Sequence, residues 1–408
     1  MHELLLPGMR VKRWVVLILI GLCCLALSLT FSIGTRIAMV PIGASRVSLE
    51  FGLLLVGIAA TAVGMLKLTD RFIEVLGPEK RGKIMSLLSS ARSKGPKIVV
   101  IGGGTGLPNV LMGLKRYSSN LTAIVSMADS GGSTGKLRDE FGVLPPGDIR
   151  RSLIALSEDT PMLKKLFETR FDRGGLAGHN FGNLFITALR EITGNDEQAI
   201  LEAGKILNIR GKALPVTLNN THLHARLENG KTIVGESNID IPKHNPKLHI
   251  TKLFLKPTAH AYRGAIAALR DADLIVIGPG DLYTSINANL VVRGIPEAIR
   301  KSSAKKVYIC NLMTKHGETD GYTASQHLAE VQKYLHGKVD YLVVNSKQPT
   351  SRLRKRYERE NSFLVKNDFP ALEEMGVQVI PADLLREPIL VRHDPDKLAK
   401  VLMGIVKR

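Results

Sequence analysis

The densest chemistry in the chain is the run Ala128-Asp129-Ser130-Gly131-Gly132-Ser133-Thr134-Gly135-Lys136-Leu137-Arg138, which sets a carboxylate, hydroxyls and glycines beside two cations. A second concentration is Gly102-Gly103-Gly104-Thr105-Gly106, directly behind the β-branched run Ile98-Val99-Val100-Ile101. Glycines bring backbone N–H groups close to phosphate oxygens, and the N-terminus of a following helix adds the positive end of its dipole. Both runs therefore read as anion-binding loops. Neither completes a more specific signature. Leu107 stands where a dinucleotide fingerprint needs its third glycine, so no nicotinamide or flavin cofactor is implied. Ser130 and Leu137 stand where a P-loop needs Gly and Ser or Thr, which removes the main support for Mg-ATP hydrolysis. Residues 131–135 satisfy G-x-S-x-G literally, and Asp148 and His179 follow in hydrolase order, but the loop lies several residues beyond its strand rather than at a sharp elbow.

Further loops carry similar chemistry. Gly147-Asp148-Ile149-Arg150-Arg151 places paired arginines near a helix start, where they suit phosphate. Gly178-His179-Asn180-Phe181-Gly182-Asn183 presents an imidazole and two amides before a helix expected over 184–191; His179 there either contacts ligand or caps the helix. Gly278-Pro279-Gly280-Asp281-Leu282-Tyr283-Thr284-Ser285 and Asn311-Leu312-Met313-Thr314 are again small, amide-rich or hydroxyl-rich. Asp129, singly or with Asp148, is a candidate for Mg²⁺ completed by phosphate oxygens, for a sugar or ribose hydroxyl, or for a capping turn. His222 and His224 share one strand face as an H-x-H pair with no evident third metal ligand.

The elements that must position these residues are short apolar strands at 98–101, 121–127, 274–277, 307–310 and 341–344, each turning polar at its C-terminal end. In doubly wound sheets ligands sit outside those ends, so the loops are expected to converge on one crevice. Residues 214–250 change to two-residue alternation with a turn at Glu228-Asn229-Gly230-Lys231, the pattern of an antiparallel insertion.

Upstream, residues 14–33 carry no charge and match the ~30 Å hydrocarbon core of a bilayer in length. A second apolar stretch, 51–66, is shorter and Gly/Ala-rich, so either a transmembrane hairpin (1–66, helices near 14–33 and 49–66) or a re-entrant second segment fits. Arg10, Lys12 and Arg13 before, and Lys67, Arg71, Lys80, Arg81 and Lys83 after, outnumber Arg36 and Arg46 between, which places both ends and the main domain in the cytoplasm. Residues 67–95 read as a basic amphipathic linker broken at Gly77-Pro78, and 96–408 as one domain.

The net charge of +19 over 408 residues attracts nucleic acid, anionic lipid and phosphorylated ligands alike. Trp14 is the single tryptophan and aromatics make up 5%, which argues against base-stacking platforms and so against nucleic acid as partner. Basic residues gathered behind the apolar segments favour lipid. Cys23 and Cys24 lie inside an apolar run and Cys310 ends a strand, so neither disulfides nor a thiolate metal site are indicated.

Taken in order, Gly-Gly-Gly-Thr-Gly, Ala-Asp-Ser-Gly-Gly-Ser-Thr-Gly-Lys-Leu-Arg, Pro-Pro-Gly-Asp-Ile-Arg, Gly-Pro-Gly-Asp-Leu-Tyr-Thr-Ser and Asn-Leu-Met-Thr resemble the gluconeogenesis factor family, which belongs with the 2-phospho-L-lactate transferases. The resemblance covers nearly all of 96–408. It implies an α/β, Rossmann-like three-layer fold with a mostly parallel sheet, and binding of nucleotide sugars such as UDP-N-acetylglucosamine in support of cell shape and envelope growth. Cell-wall synthesis proteins and a second copy of the chain are the implied partners. The transferase branch instead moves a phospholactyl group onto a deazaflavin. Carried over motif by motif, Gly102, Gly103, Gly104, Thr105, Gly106, Asp129, Gly131, Gly132, Ser133, Gly278, Gly280, Asp281, Tyr283, Thr284, Ser285 and Asn311 are expected to line the ligand site, with Arg138, Asp148, His179, Asn183 and Thr314 beside them, and Asp129 as the metal candidate for Mg²⁺. Three departures weigh against metal binding and transfer chemistry. Ser130 stands where the family usually has a second aspartate, Asp281 where it has serine, and Lys315-His316 where Gln-Pro is common.

Overall fold

The computed structural model describes residues 12–37, 44–75, 95–158, 161–386 and 390–407. The chain divides into two compact units, 1–92 and 93–408. In the first, helices α1 (Lys12–Ile37) and α2 (Ala44–Val75) contain the windows Arg13–Thr30 and Phe51–Leu68, whose mean hydropathies are 2.2 and 2.0. Both are long and apolar enough to cross a membrane. The second helix runs past its apolar stretch at both ends. The two helices meet at small residues: a Cβ on Gly21 would sit 2.8 Å from the Thr61 backbone nitrogen and 2.9 Å from the Gly57 carbonyl oxygen. Such close approach lets backbones pack where there is no hydrophobic drive between helices. Their large apolar side chains otherwise face outward, Leu55 being 66% and Leu66 68% exposed. Arg10, the Gly77-Pro78 break and the basic residues Lys80, Arg81, Lys83, Arg92 and Lys94 lie outside the described residues.

The second unit is built on a seven-stranded sheet of β1 (Ile98–Gly102), β2 (Leu121–Val125), β3 (Lys212–Pro215), β7 (Leu274–Ile277), β8 (Lys305–Ile309), β9 (Tyr341–Asn345) and β10 (Gln378–Ala382). Its order is β10-β9-β8-β7-β1-β2-β3 and every pairing is parallel. Every residue of β1 and β7 is buried, which is why both read as unbroken apolar runs rather than alternations. From β1 the chain steps outward through β2 to β3, then returns to the other side of β1 as β7 and steps away again to β10. The reversal lies between β1 and β7, and a doubly wound sheet opens its ligand crevice at such a point.

Between the two windings lies the antiparallel insertion, β4 (His222–Leu227), β5 (Thr232–Val234) and β6 (Ile250–Lys256), with Gly230 at φ 82° in the expected turn. A short hairpin, β11 (Leu385–Arg386) with β12 (Arg392–His393), precedes the last helix. Several element boundaries shift from the sequence reading by one to three residues, β8 for example running Lys305–Ile309 rather than 307–310. β2 ends at Val125 rather than 127, and the helix expected over 184–191 runs Phe181–Thr193, because the Asn180 side chain accepts the Asn183 N–H and caps it earlier.

Candidate functional site

β1 enters helix α3 (Gly106–Leu114) through Gly103, Gly104 and Thr105. Gly104 takes φ 60°, a left-handed conformation that side chains with a Cβ rarely adopt. A Cβ on Gly106 would lie 2.1 Å from the Pro279 carbonyl oxygen, so the loops behind β1 and β7 touch backbone to backbone. Below them sits Asp148, in the first turn of α5 (Pro146–Leu156), the helix that follows α4 (Gly132–Phe141). Asp148 Oδ2 accepts the Gly104 N–H at 2.8 Å and Oδ1 accepts Arg151 Nη1 at 2.6 Å. Burial pushes its carboxyl upward, Arg151 opposes that and Asp129 adds to it. Asp148 therefore ties the glycine loop to the start of α5.

On the β7 side, Asn311 Nδ2 donates to the Gly280 carbonyl at 2.7 Å. Asn289 Nδ2 ties the Gly102 carbonyl (3.2 Å) to that of Ser285 (2.7 Å), joining the two loops again. Leu282–Asn287 is π-helical, a rare turn often found at functional sites. Inside it, Thr284 Oγ1 and both polar atoms of the Asn287 amide are buried with no partner among the described residues. Tyr283 lies in the core with its hydroxyl 3.1 Å from that of Tyr322, so the expectation that it lines the ligand site is corrected.

These loops open on a cleft of about 650 Å³. Of the expected residues, Thr105, Gly106, Gly280, Asp281, Ser285, Asn311 and Thr314 line it. Thr314 is also pinned to Phe363, accepting its N–H on Oγ1 at 2.9 Å. Asn109, Asp240, Lys315 and Arg392 line it too, and none of the four is among the expected site residues, although Lys315 stands out as a departure from the family pattern. Asp240 lies in the insertion and Arg392 on the late hairpin, so only tertiary folding brings them there.

The loop behind β2 forms a neighbouring group instead. Ser133 Oγ accepts the Asn180 N–H at 3.2 Å and Asn183 Nδ2 at 3.3 Å, and lies 3.4 Å from His179 Nδ1. The serine and histidine of the hydrolase pattern do meet, but Asp148 bonds to Gly104 and Arg151, and among the described residues no hydrogen bond joins it to His179, so the triad is not assembled. Neither Asp129, Gly131, Gly132, Ser133, His179 nor Asn183 lines the 650 Å³ cleft. Arg138 is a structural bridge to the insertion, donating to Asn220 Oδ1 at 2.8 Å and the Thr221 carbonyl at 2.6 Å. His222 lies against that guanidinium and His224 stacks on Phe254, so the H-x-H pair is part of the sheet face.

Asp129 Oδ1 accepts the Gly131 N–H at 3.0 Å, which closes the turn. Its neighbour Glu236, reaching in from the insertion to the Ser130 N–H, is pushed up to about 8 by burial and by Asp129 and Asp240. Among the described residues, the three carboxylates whose oxygens come within 4.8 Å of one another are Asp240, Asp281 and Glu318, not a set containing Asp129. Lys315 Nζ stands among them, bonded to Asp240, 2.9 Å from Asp281 and 3.7 Å from Glu318. Burial alone would lower the lysine, but the three carboxylates outweigh it and hold the ammonium charged. Two of the departures from the family pattern, Asp281 and Lys315, are thus one ion pair.

Comparison with known proteins gives a consistent result. The family described as 2-phospho-L-lactate transferase CofD matches residues 98–385. A Nostoc sp. relative bearing the gluconeogenesis factor name is 41% identical over 97% of this chain and 91% of its own length. The gluconeogenesis factor of Bacillus subtilis is 43% identical, covering 76% of this chain and 98% of its own. The crystal structure of a UPF0052 family member from Bacillus halodurans superimposes with a TM-score of 0.73 at 43% identity, over 76% of this chain and 99% of that one.

Proposed function

The chain belongs to the gluconeogenesis factor family, within the wider 2-phospho-L-lactate transferase CofD family, and from that premise we propose that it is a regulatory protein that binds a nucleotide sugar, a UDP-sugar in the first instance. The observation that carries this reading is the contact of the β1 and β7 glycine loops at Gly106 and Pro279, on the rim of a cleft of about 650 Å³. Backbone amides of such loops and the N-terminus of α3 suit a diphosphate, and the cleft falls in the size range of small-molecule sites. Ser285 and Asn311 supply hydroxyl and amide groups beside it for a sugar or ribose. In this reading the hairpin of α1 and α2 holds the domain at the cytoplasmic face of the cell membrane, where ligand occupancy is passed to cell-wall synthesis proteins, with the chain acting as a homo-oligomer.

A second reading, transfer of a phospholactyl-type group from a nucleotide-linked donor, draws support from the family match alone. Mg²⁺ would supply charge neutralisation on the leaving diphosphate in that chemistry. Asp129 fits it only in part: Oδ2 is free of the turn bond, but the neighbouring Asp148 is already paired with the Arg151 cation. Calorimetry of UDP-sugars against the full chain, alongside a deazaflavin transfer assay, separates the two. Micromolar-range UDP-sugar binding without turnover supports the regulator, and turnover without UDP-sugar binding overturns it.

A further inference from the structure

Beside the main cleft is a second cavity of about 280 Å³, bounded by α3, α5 and the helix Pro161–Glu168. The two cavities share Thr105, Asn109 and Arg392. Their charges differ. The main cleft sets Asp240, Asp281 and Glu360 against Lys315 and Arg392, whereas the smaller one presents Arg150, Arg151, Lys164 and Arg392 against a single acid, Glu168.

Arg150 is the critical group. It is 8% exposed, its Nη1 donates one long bond of 3.3 Å to the Phe167 carbonyl, and its Nε is buried with no partner among the described residues. A buried guanidinium normally has its donors satisfied and its charge matched. Here it lies beside two other arginines, Arg151 and Arg170, and burial with that repulsion pushes it down to about 10. Asp148 relieves this only in part, being paired with Arg151. The pocket is thus lined by a largely desolvated cation with an excess of positive charge around it, its Nε sealed from solvent without a partner among the described residues.

We propose that this side pocket is a binding site for a phosphate-type oxyanion, distinct from the diphosphate seat at the glycine loops, with Arg150 as its buried anchor and Arg392 as its gate to the main cleft. The planar fork of Arg150 suits two oxygens of one phosphoryl group. Such a group has two possible sources, a further phosphate or carboxylate on the ligand of the main cleft, or a separate phosphorylated metabolite. The proposal stands on these residues and does not require the nucleotide-sugar reading.

Inorganic phosphate is the probe, titrated calorimetrically into the full chain in detergent at fixed ionic strength, with chloride as the control. Saturable phosphate binding is expected, weakened about tenfold in Arg150→Lys, which keeps the charge but loses the fork, and several-fold in the exposed Arg392→Gln. If Arg150→Lys does not fold, Arg392→Gln alone carries the comparison. Repeating the titration with UDP-N-acetylglucosamine present assigns the source. Competition against the Arg150-dependent part of the binding, the part lost in Arg150→Lys, means that the cleft ligand reaches the side pocket, and an undiminished Arg150-dependent part means that a separate metabolite occupies it. Absence of saturable phosphate binding, or binding equally strong in both variants, overturns the proposal.

Discussion

Asp148 holds a backbone N–H on one oxygen and a guanidinium on the other, so its removal strands both in a buried setting. Asp148→Ala is expected to cost about 2–4 kcal/mol of stability by denaturant unfolding, with Asp148→Asn losing less because an amide oxygen still accepts the Gly104 N–H. A ligand-contacting aspartate would instead lower affinity and leave stability unchanged. Glu236 gives a pH signature. Its folded value, raised to about 8 from 4.5, means that the native state binds its proton more tightly than the unfolded chain does. Stability from this group is full below pH 4.5 and falls as pH rises toward 8. Glu236→Gln is expected to flatten the decline in melting temperature over that window, and an unchanged slope would show that the carboxyl is not the cause. At this scale the sequence identified which loops carry chemistry but not what each side chain does there. Arg138 and Tyr283 have ligand-like types and positions, and only their burial and partners mark them as structural.

The glycine loops were legible because close backbone approach leaves a mark in residue type that does not depend on the rest of the fold. Gly106 is the sharpest case. In Gly106→Ala the added methyl must push the β1 and β7 loops apart, with an expected stability loss of about 1–3 kcal/mol and at least tenfold weaker UDP-sugar binding in calorimetry. Retained affinity would place the ligand elsewhere. The parallel strands were equally plain, since strands covered on both faces read as apolar runs. What stayed hidden was the way the antiparallel insertion folds back. Its alternation announced strands, but nothing local indicates that Asp240 and Glu236 reach the tips of β7 and β2, or that Lys315 bonds to Asp240 and Asp281. Such pairings join residues 34 to 106 positions apart in sequence, and periodicity carries no information about them. Lys315→Gln is expected to leave three neighbouring carboxylates without their cation and to lower the melting temperature more as pH rises, which a scan from acid to neutral pH would read.

Over the whole molecule, two apolar helices precede a unit whose counterpart in Bacillus halodurans forms a crystallised chain without them. The full chain is expected in the membrane fraction after lysis and carbonate washing, and a chain starting at residue 93 in the soluble fraction with UDP-sugar binding intact. Release of the full chain by carbonate would remove the anchoring role. The order of the sheet has a further effect. Because the chain winds away from β1 in one direction before returning to wind away from β7 in the other, the crevice is a seam between an N-terminal and a C-terminal half. A ligand seated there clasps two halves of one polypeptide, so occupancy should slow amide exchange across the β1–β7 border most, and its loss should first be felt as the halves loosening from each other.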